Sequence, residues 1–501
     1  MSEPRKAPNI LFLMTDQHRW DCLGRARPEV KTPHLDALAA RGVWFDQAVC
    51  QNPQCVPSRY SLTTGLYPSQ VGVRNNNQAI HSDDLMPVPT LFQRLQAAGY
   101  LTIGCGKTHW YMPTRPGRDI PVPERSTRGF DWRYMSGSAN TMWHEPHTVF
   151  HREDDPETAR RSEAWWRTVS PNSGGESFEG YVGRVGDCTG AEMREGWLMT
   201  KALDALRRAK KRGGPWHLYL SFEAPHAPLE VPQDYADIYS LDDVPDVELP
   251  PEGASLPRHY NMYHSDEIMT RWTALPERER REVWRRYYAL CTYVDAQFGR
   301  VLEHLKSTGE LENTFVLFTS DHGESLGERW RFSKYSLYEA SVRVPLIMAG
   351  PGIEAARVGS RDSRCAELVD IVPTLLEAAG LPHPQELPGE SLLQPSYRRG
   401  GFAEFHSHGY EEILHAPAYM WRTPEWKLIL FFDGYLNAAR RGDGPVSGEL
   451  YDLRADPGER CNLYERAECL VVRERLTREM LYQLAINWSQ FPRYASHSRN
   501  R

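Results

Sequence analysis

Residues Cys55 to Gly65 read C-V-P-S-R-Y-S-L-T-T-G, and the rest of the chain is interpreted outward from this stretch. Pro57 disfavours a helical backbone at the residue before it, so we expect a helix to begin near Pro57 to Ser58, with Cys55 just ahead of it. A helix N-terminus is electropositive and attracts anions. Arg59 follows and adds a planar fork of donors that suits a sulfate or a phosphate. The pattern indicates a reactive side chain at an anion-binding helix start.

The same stretch resembles the signature of the type I sulfatases, a family of the alkaline phosphatase superfamily: C-x-P-S-R followed by x-S-L-T-T-G-L-Y-P. In that family the cysteine is oxidised after translation to formylglycine, whose hydrated aldehyde attacks the sulfur of a sulfate ester. The resemblance implies that Cys55 is the nucleophile. It also implies that Pro57 and Arg59 are needed for conversion of Cys55 by a formylglycine-generating enzyme. Without this motif, Cys55 would be interpreted as a small buried hydrophobic side chain.

Size and composition limit the alternatives. The chain has 501 residues, enough for a large α/β domain and a second unit. The net charge of −7 lacks the basic excess of nucleic-acid-binding proteins, so no nucleic-acid partner is expected. No stretch reaches the roughly 20 apolar residues of a membrane span, so no membrane partner is expected either.

The compartment is predicted from the start of the chain and from its cysteines. The first apolar run, Ile10 to Met14, is too short for a signal-peptide core and is interpreted as the first strand of the fold. Nine cysteines at irregular spacing do not make a disulfide framework. We therefore expect a cytoplasmic protein with reduced thiols. Many members of the resembled family are exported, and a leader absent from this sequence would change that expectation.

Apolar periodicity predicts the main elements. Continuous apolar runs that are typical of buried parallel strands occur at Asn9–Thr15, Leu101–Gly104, Trp216–Phe222 and Thr314–Thr319. Helical patterns occur at Thr32–Gly42, Thr90–Gly99, Glu195–Arg212, within Glu282–Gly309, and at Leu368–Gly380. Beyond residue 395, strands are predicted at Tyr419–Arg422, Trp426–Phe432 and Glu449–Leu453, and a terminal helix at Arg473–Trp488.

The fold class follows from this order of elements together with the resemblance. We expect an α/β protein with a large mixed, mostly parallel sheet sandwiched by helices, like alkaline phosphatase. A smaller C-terminal α+β subdomain is expected to contain an antiparallel sheet. The predicted domains are residues 1–395, with a loop-rich insertion at about 112–195, and residues 396–501.

Polar residues follow two of the predicted strands. Asp16 and Gln17 follow the first strand, and Asp321 and His322 follow the strand that ends at Thr319. A lone Asp in such a place is often only a helix cap. In the resembled family, however, the first strand is followed by Asp-Asp or Asp-Gln, and the first Asp binds a divalent metal ion.

The resemblance therefore implies one metal site formed by Asp16, Asp321 and His322 beside Cys55. Gln17 stands where a second acid is commoner, and its amide oxygen is a weaker candidate ligand. Oxygen donors and a single imidazole suit Ca²⁺, with Mn²⁺ and Mg²⁺ as alternatives.

Candidate anion-binding and proton-transfer residues follow other strands. Lys107 and His109 lie in the segment G-K-T-H, which alone is a weak signal but resembles the family segment that contacts the sulfate and the formylglycine. His226 lies between two prolines, on a stiff loop that suits a positioned acid or base. It resembles the family histidine that faces the leaving-group oxygen.

Two further residues are assigned by the resemblance alone. Lys334 begins a segment similar to the family pattern K-x-x-x-Y-E-x-x-x-R-V-P, which implies a sulfate-binding lysine. Asn76 lies where choline-sulfatase-like and phosphonate-hydrolase-like relatives carry an asparagine on the anion.

These residues predict a sulfuric ester hydrolase that acts on a small-molecule or saccharide sulfate ester. In the mechanism that the resemblance implies, Lys107, Lys334 and Arg59 neutralise the sulfate, His226 protonates the leaving oxygen and His109 accepts a proton when sulfate departs.

The nearest alternative is a phosphonate monoester or phosphodiester hydrolase, since the Asp-Gln and Asp-His pairs and Asn76 are shared with that branch. Lys107 and His109 favour sulfate. A second alternative is a non-enzymatic anion-binding relative. Bacterial relatives are often dimers or tetramers, so a homo-oligomer is also implied.

Overall fold

A computed structural model describes residues 7–110 apart from 77, 79 and 81, then 127–134, 178–245, 266–406 apart from 397, 417–432 and 446–489. The strands are β1 Asn9–Asp16, β2 Gly42–Phe45, β3 Ala48–Val49, β4 Leu101–Gly106, β5 Trp132–Tyr134, β6 Arg184–Val185, β7 Trp216–Pro225, β8 Glu230–Val231, β9 Thr314–Ser320, β10 Leu346–Ala349, β11 Ser360–Asp362, β12 Ala366–Glu367, β13 Gly401–Phe405, β14 Ala418–Arg422, β15 Trp426–Phe432 and β16 Val446–Asp452.

The helices are α1 Pro33–Ala40, α2 Cys55–Thr64, α3 Pro68–Val71, α4 Leu91–Ala97, α5 Phe178–Val182, α6 Arg194–Arg212, α7 Asp266–Ala274, α8 Glu277–Ser307, α9 Glu339–Val342, α10 Ile371–Ala378 and α11 Leu470–Ser489. Single 3₁₀ turns lie at Asp83–Leu85, Gln233–Tyr235, Leu241–Asp243, Leu311–Asn313, Glu328–Trp330, Ala355–Arg357, Leu368–Asp370 and Ala467–Cys469.

Within the described residues, the main sheet has eight strands in the order β11-β2-β10-β9-β1-β7-β4-β5. β1 lies near its centre and pairs in parallel with β7 and β9, whereas β10 is antiparallel to β9 and β2. Every residue of β1 is buried, because helices cover both faces of the sheet. Ile10 and Phe12 enter the core on one face and Leu11 and Leu13 the core on the other, which explains the uninterrupted apolar run.

A second, four-stranded antiparallel sheet has the order β13-β14-β15-β16. Helix α11 packs against β14 and β15. Its core includes Leu428, Leu450 and Leu476, and it also receives Tyr67 and Val369 from the part of the chain that builds the main sheet. The predicted fold class, a mostly parallel α/β sheet with helices and a C-terminal antiparallel sheet, is therefore confirmed.

One part of the predicted insertion was interpreted wrongly. Residues Trp132–Tyr134, expected to be irregular, form β5 and pair in parallel with Ile103–Cys105 of β4. An edge strand of three residues has too little periodicity to be recognised locally; it is defined by its pairing with a distant segment. Residues 112–126 and 135–177 of the insertion lie outside the described residues, and the boundary at residue 395 stays a prediction.

Among the described residues, no helix combines the length and the apolar content that crossing a bilayer would require.

Candidate active site

The site lies where two neighbouring strands of the main sheet end. β1 ends at Asp16, and Asp321 and His322 directly follow β9. The two strands are parallel and in register along their length, so their carboxyl ends meet at one edge of the sheet. The backbone N–H of Gln17 donates a hydrogen bond to Asp321 Oδ1 at 3.1 Å. The topology thus brings together two acids that are about three hundred residues apart in the chain.

Four buried residues, Asp16, Cys55, Asp321 and His322, form what we call the ligand cluster: each offers one ligand atom, and these atoms lie within 4.8 Å of one another. Cys55 Sγ is 3.1 Å from His322 Nε2 and 3.6 Å from Asp16 Oδ1. His322 Nδ1 is 2.9 Å from the carbonyl oxygen of Gly323, which leaves Nε2 toward the cluster. Two carboxylates and an imidazole facing one point fit a divalent cation.

The helix that carries Cys55 starts earlier than we predicted. α2 begins at Cys55 itself, and the extended residue before it is Gln54 (φ −145°, ψ 144°). Pro57 is tolerated because it lies in the first turn, where the missing N–H has no partner within the helix. Asn76 Oδ1 accepts a hydrogen bond from the N–H of Val56 at 3.1 Å. Asn76 therefore caps the helix that presents Cys55.

Arg59 contacts the two acids. This fully buried guanidinium donates from Nε to Asp321 Oδ2 at 2.7 Å and from Nη2 to Asp16 Oδ2 at 3.0 Å. Its Nη1 donates to the carbonyl oxygen of Lys107 at 2.7 Å. We predicted that Arg59 would bind the substrate anion; the structure instead places its charge between two carboxylates. This arrangement leaves Oδ1 of each aspartate directed toward the ligand cluster.

Two lysines border the cluster. Lys334 Nζ lies 3.2 Å from Cys55 Sγ and 2.9 Å from His226 Nε2. Lys107 Nζ forms an ion pair with Asp16 Oδ2 at 2.8 Å. The structure therefore places two positive charges beside Cys55 and the two aspartates, an arrangement that could neutralise a bound anion.

The two predicted histidines have different surroundings. His226 Nδ1 donates to the carbonyl oxygen of Ala227 at 2.5 Å, so that Nε2 faces Lys334 and lies 4.0 Å from Asp16 Oδ1. His109 is buried and has a left-handed backbone (φ 58°). Burial, together with the charges of Lys107 and Arg59, holds the pKa of His109 well below its usual value, so this ring is neutral at neutral pH.

Charge and burial compete within the ligand cluster. Burial alone would raise the pKa of Asp16, but the nearby cations, Lys107 first, hold that pKa well below its usual range. Asp16 is therefore ionised at neutral pH. Burial and the charge of Asp16 raise the pKa of the Cys55 thiol to about 12, so this thiol carries its proton and is a poor nucleophile as encoded.

Gln17 and Glu324 form a pair that the sequence analysis did not connect. Gln17 Oε1 accepts from Lys334 Nζ at 3.1 Å, and its amide nitrogen donates to the buried carboxylate of Glu324. Glu324 also accepts from the backbone N–H of Leu326 at 2.7 Å. The pair orients Gln17 beside the cluster. Glu324 stands two residues after His322 in the segment S-D-H-G-E, and only its position there could have drawn attention to it.

A second acid that the sequence analysis missed is Glu223, near the end of β7. One of its oxygens lies 3.5 Å from Lys107 Nζ, and the other contacts Arg194 at the start of α6. Glu223 precedes His226 by three residues, so the strand end that supplies the histidine also supplies a carboxylate to the lysine.

Comparison with known proteins gives a family match over most of the chain. A model of the family described as Sulfatase matches residues 8–381, and a model described as the C-terminal part of N-sulphoglucosamine sulphohydrolase matches residues 327–485. An arylsulfatase of Clostridium perfringens is 28% identical over 92% of this chain and 91% of its own length. A choline-sulfatase of Rhizobium meliloti is 29% identical over 94% of this chain and 85% of its own length.

Solved structures include similar folds of nearly equal extent. The phosphonate monoester hydrolase of Silicibacter pomeroyi superposes with a TM-score of 0.72 and 25% identity, and the match covers 96% of each chain.

Proposed function

The chain belongs to the sulfatase family, and we propose that it hydrolyses a sulfate monoester at the site around Cys55. The single observation that carries this proposal is the ligand cluster, in which two acids and an imidazole from two strand ends face the side chain of Cys55. The family match, residues 8–381, includes every residue of this site.

The nucleophile in this proposal is the formylglycine derived from Cys55. A protonated thiol with a pKa of about 12 would attack a sulfate ester poorly, so the proposal requires conversion by a formylglycine-generating enzyme. Sγ marks the place that the converted side chain would occupy, at the first residue of α2. The capped start of the helix and the burial of residue 55 would fix its position relative to the substrate.

Asp16, Asp321 and His322 would hold a divalent metal ion, with Ca²⁺ the best match and Mn²⁺ or Mg²⁺ as alternatives. When bound, such an ion supplies Lewis acidity toward a sulfate oxygen and orients the nucleophile. Gln17 would be an additional oxygen donor only if its amide turned away from Lys334. Arg59 has the supporting role of fixing the two aspartates.

Lys107 and Lys334 would bind the nonbridging oxygens of the sulfate. Lys334 lies within contact distance of both Cys55 Sγ and His226 Nε2, so one ammonium group borders both the nucleophile and the proposed acid. Removing such a preorganised donor costs about 10²–10³-fold in rate in other enzymes.

His226 would donate a proton from Nε2, which faces the site, to the leaving oxygen; because its Nδ1–H is donated to the Ala227 carbonyl oxygen, this role requires the imidazolium form of the ring. His109 would accept a proton from the converted residue 55 when sulfate departs. This role agrees with its neutral state, because a base must be unprotonated to accept a proton.

The sulfated alcohol is proposed to be a small molecule or a saccharide. A cytoplasmic location is proposed from the nine irregularly spaced cysteines, which do not make a disulfide framework. A homo-oligomer remains part of the proposal through the family resemblance alone.

A rate comparison on one preparation tests the function. The protein should be produced with a formylglycine-generating enzyme, its conversion verified by peptide mass spectrometry, and its activity measured on aryl, sugar and choline sulfates and on a phenyl phosphonate. We expect kcat/KM to be highest for one of the sulfates. The absence of sulfate release from converted, Ca²⁺-loaded protein on all three sulfates would contradict the proposal.

The second candidate function is phosphonate monoester hydrolysis. The similarity to the Silicibacter pomeroyi enzyme, at a TM-score of 0.72 and 25% identity, supports it. A kcat/KM for the phenyl phosphonate above that for every sulfate would favour this alternative.

A further inference from the structure

The ligand cluster has a different donor set before Cys55 is converted. As encoded, it consists of two carboxylates, one imidazole and one thiol. A thiolate is a soft ligand that Zn²⁺ binds well, whereas Ca²⁺ takes six to eight oxygen ligands. The chemistry of residue 55 therefore affects which ion the same pocket prefers.

Arg59 limits the number of oxygen ligands. It binds Asp16 Oδ2 and Asp321 Oδ2, and Lys107 also contacts Asp16 Oδ2. Each aspartate thus has only Oδ1 directed toward the cluster. Two single oxygens, one imidazole nitrogen and one sulfur make four ligands, the number found in structural zinc sites.

Four of the six separations between these atoms come within a few tenths of an ångström of the edges of a zinc tetrahedron. Zinc–ligand distances of about 2.0–2.3 Å give tetrahedral edges of roughly 3.3–3.6 Å. Cys55 Sγ lies 3.1 Å from His322 Nε2 and 3.6 Å from Asp16 Oδ1. His322 Nε2 lies 3.6 Å from Asp16 Oδ1 and 3.7 Å from Asp321 Oδ1.

We propose that the chain with an unconverted Cys55 binds Zn²⁺ through Cys55 Sγ, His322 Nε2, Asp16 Oδ1 and Asp321 Oδ1, and that conversion of Cys55 changes the pocket from a zinc site to a site for a hard cation. Binding forms a zinc–sulfur bond and releases the thiol proton to water; no electron is transferred. Conversion, a two-electron oxidation carried out by the formylglycine-generating enzyme with an external oxidant, breaks the carbon–sulfur bond of residue 55 and leaves oxygen in place of the sulfur. The inference rests on the proposed function only in taking these four residues as one metal site.

Cobalt provides a spectroscopic test on the full chain. The protein is produced without a formylglycine-generating enzyme, the thiol of Cys55 is verified by mass spectrometry, and the metal-free protein is titrated with Co²⁺ in the absence of oxygen. We expect a near-ultraviolet sulfur-to-cobalt charge-transfer band that saturates at one equivalent. Zn²⁺ should remove the band, and excess Ca²⁺ should not.

Two serine variants are matched for this test. Cys55→Ser should lose the charge-transfer band and bind Zn²⁺ at least about 100-fold more weakly. Cys365→Ser changes another buried cysteine, near Arg422 and away from the cluster, and should keep both the band and the affinity. A band that is absent from the parent chain, or that persists in Cys55→Ser, overturns the proposal.

X-ray absorption at the zinc edge gives a second test that needs no variant. One sulfur at about 2.3 Å from zinc in the unconverted chain supports the proposal, and a shell of nitrogen and oxygen alone overturns it. Neither measurement depends on hydrolysis. If converted protein releases no sulfate, the proposed function fails; the zinc–sulfur signature of the unconverted protein is judged separately.

Discussion

Asp16 and Glu339 are both buried carboxylates surrounded by cations, but their oxygens are used differently. Glu339 lies at the start of α9, and Arg422 and Lys427 reach it from the C-terminal sheet. Its Oε1 accepts from Lys427 at 2.8 Å, and its Oε2 from Arg422 at 2.9 Å. With Arg343 and Glu459, which contact the same groups, these residues form what we call the joint cluster.

In the ligand cluster, the cations occupy one side of each acid only. Arg59 binds Oδ2 of Asp16 and of Asp321, while the Oδ1 atoms lie 3.6 and 3.7 Å from His322 Nε2. The comparison teaches that burial and ion pairing alone do not indicate a functional site. A carboxylate whose oxygens are both bound by cations joins parts of the fold, whereas one that presents an oxygen to other ligand atoms can bind an ion.

The largest expected effect is on catalysis at residue 55. Cys55→Ala, in protein produced with the converting enzyme, should lower kcat for sulfate hydrolysis by roughly 10⁴-fold or more, because the proposed nucleophile is removed. The matched control is Cys365→Ala, a buried cysteine beside the joint cluster, which should keep the parent rate. If Cys55→Ala retained more than a tenth of the parent kcat, the site would have been placed wrongly.

The joint cluster should respond to mutation through stability. Lys427→Met removes a fully buried cation that contacts Glu339 and Glu459, at 2.8 and 2.7 Å. Leaving these acids without Lys427 should lower the free energy of unfolding by about 3–5 kcal/mol, measured by urea denaturation.

Lys334→Met is the matched change in the active site. We expect its free energy of unfolding to fall by less than about 1 kcal/mol, since side chains in a functional site, as proposed for Lys334, are often not optimal for stability. If Lys334→Met were as destabilising as Lys427→Met, the distinction between the two clusters would not hold.

The third prediction concerns the shared role of Arg59. Arg59→Lys keeps the charge but cannot donate to both aspartates in one planar fork. We expect the Kd for Ca²⁺ to rise by roughly 10–100-fold, measured by calorimetry in a Cys55→Ser background, because the resemblance implies that Arg59 is needed for conversion of Cys55. Arg422→Lys, which makes the same change in the joint cluster, should leave the Kd unchanged and lower stability instead. Equal Kd values for both variants would show that Arg59 does not position the metal ligands.

The sequence predicted the strand ends well because they obey local rules. The runs predicted at Asn9–Thr15 and Thr314–Thr319 differ by one residue from β1 and β9, since strands covered on both faces are continuously apolar. Asp16, Asp321 and His322 could therefore be placed directly after these strands, and the resemblance to the sulfatases implied that they form one site. The motif around Cys55 contributed the chemistry, although the helix start was placed too late.

What the sequence could not predict depends on contacts between distant segments. Arg59 and Asp321 are in contact although 262 positions separate them in the sequence, and Gln17 and Glu324 are in contact although 307 positions separate them. No periodicity encodes such a pair, so Arg59 was assigned to the substrate and Glu324 received no role. β5 was missed for the same reason, because its pairing with β4 is the only feature that makes it a strand.

The smallest expected effect is a difference in acid sensitivity. Burial opposes ionisation of Glu339, but Arg422 and Lys427 hold its pKa well below the ordinary value of 4.5. Because the folded-state pKa is the lower one, the unfolded chain binds this proton first as the pH falls. The ionised Glu339 carboxylate makes its full contribution to the free energy of unfolding above about pH 4.5. This contribution is lost as the pH falls through the folded-state pKa of Glu339.

Urea denaturation between pH 7 and the acid limit should therefore give a shallower loss of stability for Glu339→Gln than for the parent chain. One proton accounts for at most about 1.4 kcal/mol per pH unit, and this is the largest slope difference we expect below pH 4.5. The slope, not the absolute stability, is the relevant readout, since removing the carboxylate also weakens the cluster at every pH. Glu303→Gln, at an exposed position on α8, should keep the parent slope. If plots of unfolding free energy against pH ran parallel for the parent and Glu339→Gln, Glu339 would not be ionised in the folded protein. The ion pairs described for the joint cluster would then be wrong.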